Sequence, residues 1–107
     1  MATIRWTEGD RGRVLGVVLA DDGVAVNLTL VTALECHQRN ISTGVTTIIT
    51  GLLGDANGAV STLFVGPLVA GNYTLEWETT ANAGATVITY PGNAADRHIL
   101  IVRQEAD

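Results

Sequence analysis

The chain of 107 residues has no lysine, one cysteine and 5% aromatic residues. Its six basic residues are all arginine, scattered as Arg5, Arg11, Arg13, Arg39, Arg97 and Arg103 against eleven acidic residues. The net charge is −5. With no basic stripe, sequence-independent binding to nucleic-acid phosphates is not expected. The low aromatic content excludes a stacking platform for single strands. The lone Cys36 rules out an internal disulfide. Alternation places it with Leu34 on an inward face, as a buried thiol. Its neighbour His37 then points to the opposite face, so the two do not form a nucleophile–base pair. No apolar run approaches the ~18 residues of a membrane-spanning helix. Residues 1–10, MATIRWTEGD, lack the apolar centre of an export signal. The expectation is a protein made in the cytoplasm, neither exported by a signal nor held in a membrane. The sequons at Asn27, Asn40 and Asn72 then read as chance matches in strands rich in Asn and Thr.

Charged residues make up only 16% of the chain and hydrophobic residues 47%. Soluble domains usually carry ~25% charged residues. A single domain spanning residues 1–107 therefore has apolar surface to spare, which suits self-association or docking.

The apolar spacing is two, not 3.6. In NYTLEWETT, Tyr73, Leu75 and Trp77 fall on one face, and Thr74, Glu76 and Glu78 on the other. The same alternation marks GVTTIIT, and AVSTLFV is rich in β-branched and aromatic residues. RVLGVVLA and RHILIVRQ are apolar on both faces, which predicts strands covered on both sides. The pattern predicts strands at 2–7, 12–20, 24–28, 31–39, 44–51, 59–65, 71–79, 85–90 and 97–103. Glycine-containing turns at 21–23, 54–58, 66–67, 70–72, 82–84 and 91–93 separate most of them at the rhythm of an antiparallel sandwich. A short helical turn fits only GPLVAG.

Candidate chemistry is sparse. Asp21 and Asp22 diverge within a turn, and Glu76 and Glu78 read as a solvated or partner-facing strand face. His37 and His98 lie far apart in sequence, and one cysteine gives no Cys/His spacing of the zinc type. DANG at 55–58 matches the opening of a calcium loop, but Gly66 stands where the bidentate acid belongs. Ser42 and Ser61, the only serines, sit in no nucleophile elbow, and the glycines form no phosphate loop or dinucleotide fingerprint. No catalytic residue, cofactor site or metal site is expected. Trp77 reads as core, while Trp6, beside Ile4, reads as straddling the core edge.

The order of these segments is familiar. TIRWTEGD precedes an apolar strand and LADDGVAVNLT; DANGAV, AGNYTLEWETT and ITYPGNAADRHILIV follow. Nearly the whole chain resembles the immunoglobulin-like domain at the N terminus of phage baseplate upper proteins and related small bacteriophage virion proteins. The resemblance rests on Val26, Asn27, Leu28 and Thr29 after the Asp-Gly turn, on Ala70, Gly71, Tyr73 and Trp77, and on Thr89 and Pro91 around Tyr90. Family members often continue into a trimerising or fibre region, and this chain ends at Asp107.

The resemblance implies an all-β, antiparallel immunoglobulin-like β-sandwich serving as a virion structural protein. The expectation is a small capsid decoration or accessory protein, made in the host cytoplasm and docked on a larger symmetric assembly. A neck, tail or baseplate component is the alternative. Its partners would be major capsid, neck or tail proteins and further copies of itself, with no nucleic acid, membrane or cofactor. Trp6, Val14, Val18, Ile99 and Ile101 are the candidate interface residues. A carbohydrate- or receptor-binding module built on Trp6, Glu8 and Asp10 is the competing class, and a small hydrolase a third.

Overall fold

Period-two alternation becomes strand along most of the chain. The computed structural model describes residues 3–21, 23–91 and 98–104. The strands are β1 (Thr3–Thr7), β2 (Arg13–Val18), β3 (Ala20–Asp21), β4 (Val24–Ala25) and β5 (Val31–Asn40), then β6 (Thr46–Ile49), β7 (Ala59–Phe64), β8 (Gly71–Ala81), β9 (Thr86–Tyr90) and β10 (His98–Arg103). The protein is all-β. Its one helical element among the described residues is a 3-10 turn at Asn82–Gly84, not at GPLVAG.

Six strands make the main sheet, in the order β1-β10-β8-β5-β6. β9 joins the side of β8 that β10 occupies. β10 pairs with Gly71–Leu75 and β9 with Trp77–Ala81. β2 and β7 form a separate two-stranded ribbon, and β3 and β4 a short hairpin. The expectation of a purely antiparallel sheet needs correction, because β1 runs parallel to β10 from Thr3↔Ile99 to Thr7↔Arg103. Alternation fixes which face a side chain takes and carries no information on strand direction.

Three predicted strands shorten: 44–51 narrows to Thr46–Ile49, and two others are cut by hydrogen bonds made outside their ladders. Residues 12–20 do not run unbroken, because Leu19 leaves the ladder. Its N–H donates to the Gly58 carbonyl (2.8 Å) and its carbonyl accepts from Val26 N–H (2.9 Å). Residues 24–28 stop at Ala25, because Leu28 N–H donates to the Asp55 carbonyl (3.0 Å) and the Asn27 carboxamide oxygen accepts from Thr29 N–H (3.0 Å). β3 and β4 pair antiparallel, with Ala20 opposite Ala25 and Asp21 opposite Val24. Gly23, between the two strands, takes φ +77°, a region open to glycine. Asp22, Ala2 and Arg97, which the sequence places in the turn at 21–23 and in two strands, lie outside the described residues.

The core forms where the inner face of the main sheet meets the β2–β7 ribbon. Leu34 and Cys36 from β5, Tyr73, Leu75 and Trp77 from β8, and Leu100 and Val102 from β10 are buried. So are Val17 from β2 and Val60 and Phe64 from β7. Large side chains of this kind contribute about 1.5–3 kcal/mol each on burial. A side-chain hydrogen bond joins the main sheet to the ribbon. The fully buried Trp77 Nε1–H donates to Thr62 Oγ1 on β7 at 3.0 Å. A second fixed point is Tyr73, whose hydroxyl donates to the Val69 carbonyl (2.7 Å), four residues upstream of the strand's inward face.

Candidate functional site

The five predicted interface residues separate onto three surfaces. Val14 and Val18 point away from the core, each 59% exposed, while Leu15 and Val17 between them face inward. Across the ribbon Val14 pairs with Leu63, itself exposed, and Val18 with Ala59. Exposed Val65 follows β7. The two-sided apolar pattern of β2 thus leaves one face of the ribbon uncovered. Ile99 and Ile101 lie instead on the outer face of the main sheet. They are half-buried and flanked in register by Thr3, Arg5, Thr74 and Asn72.

Trp6 turns inward. It is half-buried and packs edge-on against Phe64 at a ring separation of 5.1 Å. Arg13 lies over the ring, 5.8 Å from its centre. The Asp10 carboxylate holds that guanidinium, accepting from Arg13 Nε (2.9 Å) and Nη2 (2.6 Å). Trp6 and Asp10, two of the three residues of the proposed carbohydrate patch, are therefore engaged with Arg13.

A cleft of about 400 Å³ lies between the edge strand β6 and the end of β7. Ile48, Ile49, Leu63, Phe64, Val65 and Leu68 supply much of its apolar lining.

Among the described residues, the outer face of the main sheet brings together a group of ionisable side chains. Pairing of β5 with β8 sets Glu35 opposite Glu78 and His37 opposite Glu76. Glu76 and Glu78 share this face, as their spacing predicts. His37 Nε2 lies 2.8 Å from Glu35 Oε1 and 4.0 Å from Glu78 Oε2. The donor atoms of Glu35, His37 and Glu78 all fall within 4.8 Å of one another. Sequence reasoning missed this trio. Glu-x-His on one strand and Glu-x-Glu on another were both visible, but only the strand register joins them.

The second histidine is elsewhere. His98 lies on the inner face, edge-on to Trp77 at 5.2 Å, with its Nδ1 buried and without a hydrogen-bond partner. Burial lowers its pKa from the ordinary histidine value. Cys36 is fully buried on the same face, and burial pushes its thiol up to about 12. That suits an inert structural thiol, with His37 on the other side of the strand. The DANG segment is a self-capped turn. Asp55 Oδ1 accepts from the N–H groups of Asn57 (2.8 Å) and Ala59 (3.0 Å). The Asn40 carboxamide oxygen likewise accepts from Ser42 and Thr43 N–H groups.

No protein-family model matches this sequence, and no curated protein matches it.

Proposed function

We propose that the chain is a structural docking module, an immunoglobulin-like β-sandwich that serves as a small virion decoration or accessory protein. The observation that carries this reading is the uncovered outer face of the β2–β7 ribbon, where Val14 and Val18 of β2 and Leu63 of β7 stand exposed, with exposed Val65 just beyond β7. An apolar patch of this kind is the usual mark of a surface that meets another protein. Two features support the sandwich. The ribbon docks on the sheet through Trp77 and Thr62. The Tyr73 hydroxyl reaching back to the Val69 carbonyl has the form of a tyrosine corner, which recurs in Greek-key sandwiches. The order of turns and strands in the sequence supports the virion assignment. Function then resides in shape and apolar area, multiplied by many copies on a symmetric particle. A neck, tail or baseplate position would use the same surface.

Light scattering across a wide concentration range tests the docking surface. Wild type is expected to gain mass with concentration or to bind purified particles. Val14→Asp/Val18→Asp is expected to do neither while keeping its stability within about 0.5 kcal/mol, as exposed substitutions generally do. Equal association by the double variant would remove this face from the reading. Failure of the chain to appear in gradient-purified particles from an infected host would refute the virion assignment.

A further inference from the structure

We propose that Glu35, His37 and Glu78 on the outer face of the main sheet form a binding site for one divalent transition cation of the Zn²⁺ class. The donor set is an imidazole nitrogen and two carboxylate oxygens, the ligand chemistry such cations take. Tetrahedral coordination at about 2.0–2.2 Å places donor atoms ~3.3–3.6 Å from one another. The separations here, 2.8 Å and 4.0 Å from His37 Nε2 with all three donors inside 4.8 Å, bracket that value.

The surroundings favour a cation. Glu35 and Glu78 are directly opposite in the ladder, and like charges at such a pair oppose strand association. Among the described residues, His37 is the basic side chain within ion-pairing distance of either carboxylate. A metal ion on the neutral imidazole relieves the repulsion between the carboxylates more fully than a hydrogen bond from one ring N–H. The three side chains are about one-third exposed, at 29% for His37 and 31% for each glutamate. They are partly shielded yet reachable from solvent. Three protein ligands leave a fourth position for water. The backbone beneath the site is anchored by the core, because Cys36 and Trp77, the neighbours of these residues along β5 and β8, are fully buried on the opposite face.

The site does not depend on the docking reading, and its test is separate. Metal-free protein is titrated with Zn²⁺ by calorimetry and with Co²⁺ by visible absorption, with Mg²⁺ as the hard-cation control. The expected result is saturable binding of one Zn²⁺ per chain, a tetrahedral Co²⁺ spectrum, and no comparable affinity for Mg²⁺. Zn²⁺ is expected to raise the melting temperature of wild type. Glu35→Gln and Glu78→Gln are expected to weaken binding by at least about tenfold, a loss of the size that perturbed metal sites show, and His37→Ala to abolish it. Glu8→Gln, a carboxylate at the end of β1, is expected to bind as wild type does. All three ligands sit on the outer face, so circular dichroism of the variants is expected to match wild type; should one variant unfold, the remaining two decide. Absence of saturable Zn²⁺ binding, or binding by Glu78→Gln and His37→Ala as tight as that of wild type, overturns the proposal. Equal affinity for Mg²⁺ and Zn²⁺ overturns it as well, since that describes a diffuse acidic surface.

Discussion

The hydrogen bond between Trp77 and Thr62 gives a direct test of how the β2–β7 ribbon is held to the main sheet. Both side chains are fully buried, and the Nε1–H to Oγ1 distance is 3.0 Å. Thr62→Val keeps the shape of the side chain and removes the acceptor. The indole N–H is then left in an apolar interior with no partner, a loss of about 1–3 kcal/mol. Thr62→Ser keeps the acceptor and deletes one methyl group, at a cost of about 1 kcal/mol or less. Near-isosteric Thr62→Val is therefore expected to be the more damaging change, although it adds apolar volume. For a domain of this length, ~2 kcal/mol corresponds to a fall of roughly 8–16 °C in melting temperature. Urea denaturation followed by circular dichroism measures the difference, and the slope of the transition is expected to stay unchanged. The double variant Thr62→Val/Trp77→Phe removes both partners and is expected to be less destabilised than the sum of its single changes. Equal stability of wild type and Thr62→Val would refute the reasoning, since the indole N–H would then have to be satisfied elsewhere and β7 would not be fastened to the sheet at this point.

Two further predictions concern the backbone and the thiol. Gly58 has φ +78°, and a Cβ there would stand 2.5 Å from the Leu19 carbonyl oxygen. Gly58→Ala is therefore expected to cost more than about 1 kcal/mol in thermal denaturation, because it combines backbone strain with a clash; a neutral result would mean that the turn relaxes freely. The Cys36 thiol, raised from 9.0 to about 12, is expected to resist thiol reagents at mildly alkaline pH until the protein unfolds. Because the folded form holds its proton where the unfolded form releases it, stability is expected to decline between pH 9 and 12, by up to about 1.4 kcal/mol per pH unit. Cys36→Ala is expected to lack that part of the decline, and rapid labelling of the folded protein would contradict the burial argument.

The sequence carried facing well and neighbourhood poorly. Trp77, Leu75 and Cys36 are inward as their alternation predicts, and Glu76 and Glu78 are outward. Each strand reports its own two faces locally, because side chains alternate along it. The break at Leu19 was not legible, since its hydrogen-bond partner Gly58 sits on a distant turn. The parallel union of β1 with β10 was hidden for the same reason. Trp6 stands at the core edge, as its place beside Ile4 predicts. Its cover by Arg13 and Asp10 needed the chain's path after β1.

The Glu35–His37–Glu78 group shows most sharply where the sequence stops and the fold begins. Neither strand announces a ligand set alone. The set exists because Glu35 faces Glu78 across the β5–β8 ladder, and that register follows from the inner face, where Cys36 lies beside Trp77 and Leu34 beside Thr79. A slip of one residue in β5 would turn Glu35 and His37 into the core and expose Leu34 and Cys36, a loss that the apolar core forbids. A slip of two would keep the faces correct and carry His37 opposite Glu78. It would also move Cys36 away from Trp77 and disturb the packing that buries both. The polar cluster is thus held in place by apolar contacts on the other side of the same two strands. The strand register that assembles the cluster is set by the core, and changes that unseat Trp77 are expected to disturb the cluster with it.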